Sequence, residues 1–127
     1  MIVAGVGSRS AVTAEELEKV VRMALGIFQL PVERLEVLAT ESAKATEPAY
    51  QQAAQALSVK LVGCTVEELD RVAGEVITLS KLVLETKGVP SIAEASALVA
   101  AGHNAKLLGT RVATQFATCA IAVGDGR

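Results

Sequence analysis

The opening seven residues put the strongest limit on what this chain can fold into. Met1-Ile2-Val3-Ala4-Gly5-Val6-Gly7 is a near-continuous apolar run that ends in glycine, with no polar residue at alternate positions. A strand of that kind has two apolar faces, and both are buried only inside a sheet that is covered on each side. The cover begins a few residues later. Thr13 and Glu16 form a T-x-x-E capping box, and Leu17, Val20, Val21, Ala24, Leu25 and Phe28 then recur at the spacing that gives a helix one apolar stripe. Leu30-Pro31 ends the unit. Residues 35–39 read as a second strand, 48–57 as a helix whose alanines allow close packing, and 59–63 as a third strand. Thr65 and Glu68 repeat the capping box and open a helix carrying Leu69, Val72 and Ala73. Strand alternating with helix in this way predicts a parallel sheet.

The second half is less regular. Residues 76–87 suit a partial helix or a strand and turn, stopped by Gly88. Pro90-Ser91 starts a helix with a third box, Ser91 to Glu94, and an apolar set of Ile92, Ala95, Leu98 and Val99 before Gly102. Residues 106–109 and 117–123 read as closing strands. The connection between them, about seven residues, is too short for a crossover helix and predicts antiparallel pairing. The expected architecture is one α/β domain over residues 1–127, a three-layer α/β/α sandwich with a mixed, mostly parallel sheet.

Composition narrows the function classes. The 127 residues are 51% hydrophobic but 2% aromatic, so the core must be aliphatic, and the length suffices to bury one without staples. That apolar fraction excludes a disordered chain. A net charge of -2 and the scarcity of aromatics argue against a nucleic-acid partner. The longest stretch without a charged residue, 112–124, is shorter than the roughly 18 residues of a membrane span, so no membrane partner is expected. Met1 leads straight into apolar residues with no basic region before them, so no secretory signal is visible and the expected location is cytoplasmic. Cys64 and Cys119, far apart and in apolar surroundings, read as reduced core residues.

Ligands of open α/β sheets bind at the carboxyl ends of the strands, which directs attention to the loops there. Ser8-Arg9-Ser10 follows the first strand, Thr40-Glu41-Ser42-Ala43-Lys44 the second, and Cys64-Thr65 the third. Gly5-Val6-Gly7 is not a dinucleotide fingerprint: Ser10 stands where its third glycine belongs, the helix starts only at Thr13, and there is no phosphate-loop lysine. No cofactor is expected. Ser8, Arg9 and Ser10 instead offer hydroxyls, backbone N–H groups and a guanidinium, suited to a carboxylate or phosphate; the alternative is an ordinary solvated loop. Thr40 and Ser42 add hydroxyls, Lys44 a second cation, and Arg111 a third from the closing hairpin. Glu41 is the carboxylate placed to act as general base or to pair with Arg9 or Lys44. His103 follows Gly102 at a helix end, where it can activate water or meet the last carbonyls as a cation. With one histidine, no metal site is expected, and Ser91 and Glu94 are explained by capping alone.

Several short motifs in order resemble a known family: Gly5-Val6-Gly7-Ser8-Arg9 with Ala14-Glu15-Glu16, Leu38-Ala39-Thr40 with Lys44-Ala45-Thr46-Glu47-Pro48, Val89-Pro90-Ser91-Ile92-Ala93-Glu94-Ala95, and Ala117-Thr118-Cys119-Ala120-Ile121-Ala122. The family is that of CobE and the carboxy-terminal domain of CbiG, and the likeness runs from Ile2 to Val123. It departs near Ser10, where a further basic residue is common. The resemblance implies the three-layer fold and a role in making the corrin ring of cobalamin. The chain is too short for the other domains of CbiG and so resembles the freestanding CobE form. Implied partners are a tetrapyrrole (precorrin) intermediate and other enzymes of the pathway. Three functions follow as expectations: holding a precorrin by its carboxylates, opening a precorrin lactone with release of acetaldehyde through Glu41 or His103, or docking on pathway enzymes without catalysis.

Overall fold

The structure, a computed structural model, describes residues 1–76 and 91–127; the reading of 76–87 and its stop at Gly88 lie almost wholly outside the described residues. Among the described residues, six strands form one sheet: β1 (Ile2–Ser8), β2 (Leu35–Glu41), β3 (Lys60–Cys64), β4 (Lys106–Leu107), β5 (Val112–Ala113) and β6 (Ala117–Val123). Their order is β3-β2-β1-β6-β4, with β5 also paired to β6. The pairs β1/β2 and β2/β3 are parallel, whereas β6 runs antiparallel to β1, β4 and β5. Among the described strands, then, β6 alone runs against the rest, which is the mixed, mostly parallel sheet read from the sequence. The closing strands do pair antiparallel, but β4 ends at Leu107 and β5 lies between them. Two residues show no period of two, so nothing in the sequence pattern announces β5.

Two apolar cores fill the spaces on either side of the sheet. On one, Ile2, Ala4 and Val6 of β1 and Cys119 and Ile121 of β6 pack with Leu17, Val20, Val21 and Leu25 of α1 (Ala14–Ile27) and with Tyr50, Ala53 and Leu57 of α3 (Pro48–Leu57). On the other, Val3, Val37 and Ala120 meet Leu69 of α4 (Val66–Arg71) and the alanines of α5 (Ile92–Ala101). A short helix, α2 (Ser42–Ala45), follows β2. The apolar run of β1 is thus buried on both faces, as its composition requires.

The helix starts are set locally. Thr13 Oγ1 accepts from the Glu16 N–H at 3.1 Å while the Thr13 N–H donates to Glu16 Oε1 at 2.8 Å; Thr65 and Glu68 do the same at 3.2 and 2.9 Å. At α5, Ser91 Oγ accepts from the Glu94 N–H at 3.3 Å, but here both side chains are fully buried because the helix lies flat on the sheet. That close approach depends on Gly5. A Cβ there would stand 2.1 Å from the Ala93 carbonyl oxygen and 2.5 Å from the Ala97 nitrogen, so only glycine lets α5 rest its backbone on β1.

Candidate functional site at the carboxyl edge of the sheet

β1, β2 and β3 all end on one edge of the sheet, and because β6 is antiparallel its first residues and the turn before it join that edge: Ser8 of β1 pairs with Ala117 of β6. Tyr50, in the first turn of α3, is fully buried, yet its hydroxyl lies 2.5 Å from the Ser8 hydroxyl. Burial raises its pKa; the hydrogen bond with Ser8 opposes the rise, and the Glu47 and Glu41 carboxylates add to it. The phenol therefore keeps its proton at neutral pH and holds Ser8 in place. No local pattern in the sequence singles out Tyr50. The one signal it offers is that a buried tyrosine hydroxyl needs a polar partner, and the partner is supplied by another element.

Thr40, read from the sequence as a ligand contact, is fully buried and donates its hydroxyl to the Val6 carbonyl at 2.7 Å. Its single hydrogen braces β2 against β1, which takes it out of the ligand-facing set. Glu41 ends β2 half-buried, and Ser42 is exposed at the start of α2. The Lys44 side chain is only 15% exposed and lies 3.7 Å from Glu47 Oε2, a loose pair set by the turn between α2 and α3. Arg9 and Ser10 are exposed in the turn after β1, and the Arg9 N–H donates to the Phe116 carbonyl at 3.1 Å.

The structure does not gather every candidate here. His103 lies at the opposite edge, where its backbone bonds to Gly126 and Asp125. A strand of β1's length separates the edges by about 20 Å, so Glu41 and His103 do not share a site. His103 instead lines a cavity of about 480 Å³ with Glu68, Arg71, Leu98, Val99 and Arg127. Arg111 precedes β5 at the side of the sheet, three strand spacings or about 14 Å from β2. Among the described residues, no group of three or more His, Cys, Asp or Glu side chains converges, and no helix is long and apolar enough to cross a membrane.

A family model described as the cobalamin synthesis G C-terminus matches residues 2–122. The chain belongs to this family. Within the CobE/CbiG group it is 31% identical over 121 residues to Protein CobE of a Sinorhizobium species, covering 95% of this chain and 79% of that protein. Its fold superposes on the crystal structure of CobE, a protein from the cobalamin (vitamin B12) biosynthetic pathway, with a TM-score of 0.92 at 28% identity, over 100% of this chain and 92% of that one. Cobalamin biosynthesis protein chiG from Agrobacterium tumefaciens gives a TM-score of 0.78 at 36% identity, covering 98% and 99% of the two chains. A putative cobalamin biosynthesis protein G homolog from Sulfolobus solfataricus gives 0.70 at 26% identity over 99% of this chain and 37% of its own. This chain thus matches only a part of that longer protein. The ordered motifs from Gly5 to Ala122 therefore identified the CobE/CbiG family correctly.

Proposed function

We propose that this domain serves cobalamin biosynthesis by binding a precorrin intermediate at the carboxyl edge of its sheet, gripping the ring's acetate and propionate carboxylates with Arg9 and Lys44. The placement of these two cations after adjacent parallel strands, β1 and β2, carries the reading. Arg9 is exposed and offers a fork of donors matched to carboxylates. Lys44 pairs with Glu47 at 3.7 Å, longer than a hydrogen-bonded contact, so a ligand carboxylate that bonds the ammonium directly can compete for it. Ser8 and Ser42 supply hydroxyls between them. The setting is the cytoplasm, where the free thiols Cys64 and Cys119 stay reduced, and the bound intermediate passes to other pathway enzymes.

The test is to co-express the chain with the pathway up to successive precorrins and record the visible spectrum of the purified protein. A coloured complex at one stage is expected, and a colourless product at every stage overturns the reading. Hydrolysis of a precorrin lactone is favoured by one observation: Glu41 ends its strand half-buried on the same edge as Ser8 and Tyr50, whose phenol it influences. Acetaldehyde released by the wild type and lost in Glu41→Gln would establish that second activity.

A further inference from the structure

The scarcity of aromatics suggests that a tetrapyrrole here has nothing to stack on, yet one of the two phenylalanines stands on the rim of the site. Phe116 is 42% exposed at the tip of the turn between β5 and β6. The turn is rigidly built. Thr114 Oγ1 accepts from the N–H groups of Phe116 at 3.3 Å and Ala117 at 3.2 Å, and the Thr114 N–H donates to the Ala117 carbonyl at 2.8 Å. The Phe116 carbonyl in turn accepts from the Arg9 N–H, which ties the ring's backbone to that of the guanidinium. Beside the ring, Lys19, Glu16 and Gln115 help line a recess of about 180 Å³. The Glu16 carboxylate is already engaged by the Thr13 N–H, whereas Lys19 leaves a second cation near the ring.

We infer that Phe116 is the stacking platform for the conjugated face of the tetrapyrrole, with Arg9 on one side and Lys19 on the other taking carboxylates from its rim. The inference rests on the binding reading above and specifies how the site tells a conjugated ring from any other polycarboxylate. A wholly charged site would accept both; an apolar ring held in a fixed turn between cations favours a flat conjugated partner.

Titration with a water-soluble polycarboxylate porphyrin, followed by absorbance, tests it on the full chain. Phe116→Ala and Phe116→Leu should each weaken binding by roughly tenfold, within the range seen when a stacking aromatic is removed, while Phe116→Tyr stays near wild type. The chain has no tryptophan, so Phe116→Trp adds a unique fluorophore whose emission the porphyrin should quench more strongly than that of Ile27→Trp, at the far end of α1. Equal affinity of all variants, or equal quenching at both positions, overturns the inference while leaving binding by Arg9 and Lys44 intact. Failure of the wild type to bind the porphyrin or any precorrin overturns the binding reading and this inference with it.

Discussion

Replacing Gly5 by alanine tests the central packing argument, that α5 lies on β1 because one residue has no side chain. The new Cβ would stand 2.1 Å from the Ala93 carbonyl oxygen, 2.5 Å from the Ala97 nitrogen and 2.8 Å from the Ala97 Cβ. Ordinary contact begins near 3.4 Å, so the helix must retreat by about 1 Å, and no flexible side chain is available to move instead. A gap of that size forfeits about a quarter to a half of each dispersion contact it opens. Eight residues of α5 are buried, so the loss extends along the whole helix. Overpacking costs about 1–3 kcal/mol in general, and a backbone-to-backbone clash belongs at or above the top of that range. With a urea slope of about 2 kcal/mol/M, a loss of about 3 kcal/mol lowers the unfolding midpoint by roughly 1.5 M. Gly26→Ala is the matched control: it sits in α1 with nothing within 4 Å of the new Cβ, and should gain about 0.5–1 kcal/mol from helix propensity. The same chemical change thus has opposite signs at two positions. A Gly5→Ala midpoint within error of wild type would refute the account.

Thr13→Ala removes one half of a reciprocal cap and should lower stability by about 1 kcal/mol, read from a urea curve; no change would mean that α1 is held by packing alone. Thr40→Val keeps the shape but loses the hydroxyl donated to Val6, for about 1 kcal/mol, and should leave porphyrin affinity unaltered if Thr40 is a brace rather than a contact. Burial pushes the Cys64 thiol up to about 11 from an ordinary 9.0, and burial raises Cys119 as well. The native chain therefore keeps these protons where the unfolded chain releases them, so their contribution is full below pH 9 and falls as pH rises from about 9 to 11. Urea midpoints should drop across that window and drop less in Cys64→Ala; an equal slope in both removes Cys64 from the cause. Precorrin affinity should fall as salt rises from 0.05 to about 0.5 M, where screening lengths shrink to a few ångströms, and a flat response would exclude Arg9 and Lys44 as the main grip.

The elements legible in the sequence are those whose signals are local. Thr13/Glu16 and Thr65/Glu68 close their boxes within one turn, so the helix starts could be read without knowing the fold. The third box is half visible. Ser91 caps as expected, but the burial of Glu94 follows from the position of α5 against the sheet, which residues near Gly5 decide. The loops carrying Ser8, Arg9, Glu41 and Lys44 were placed by the rule that strand ends bear ligands, and the structure brings them to one edge. Tyr50 and Phe116 carry no local signal, because their significance lies in partners 42 and 107 positions away, Ser8 and Arg9, that only packing supplies. His103 and Arg111 were grouped with the site because spacing along the chain says nothing about which edge a loop reaches.

By itself, the sequence determined the layered α/β class, the helix starts, the two-sided burial of β1 and, through its ordered motifs, the family. Each of these depends on residue periodicity or on contacts within a few positions. The tertiary structure decided which cations share an edge, turned Thr40 inward as a brace, and set an exposed phenylalanine beside Arg9. Those outcomes depend on the antiparallel insertion of β6 beside β1, a long-range pairing that brings residue 117 to residue 8 and leaves no trace in local pattern.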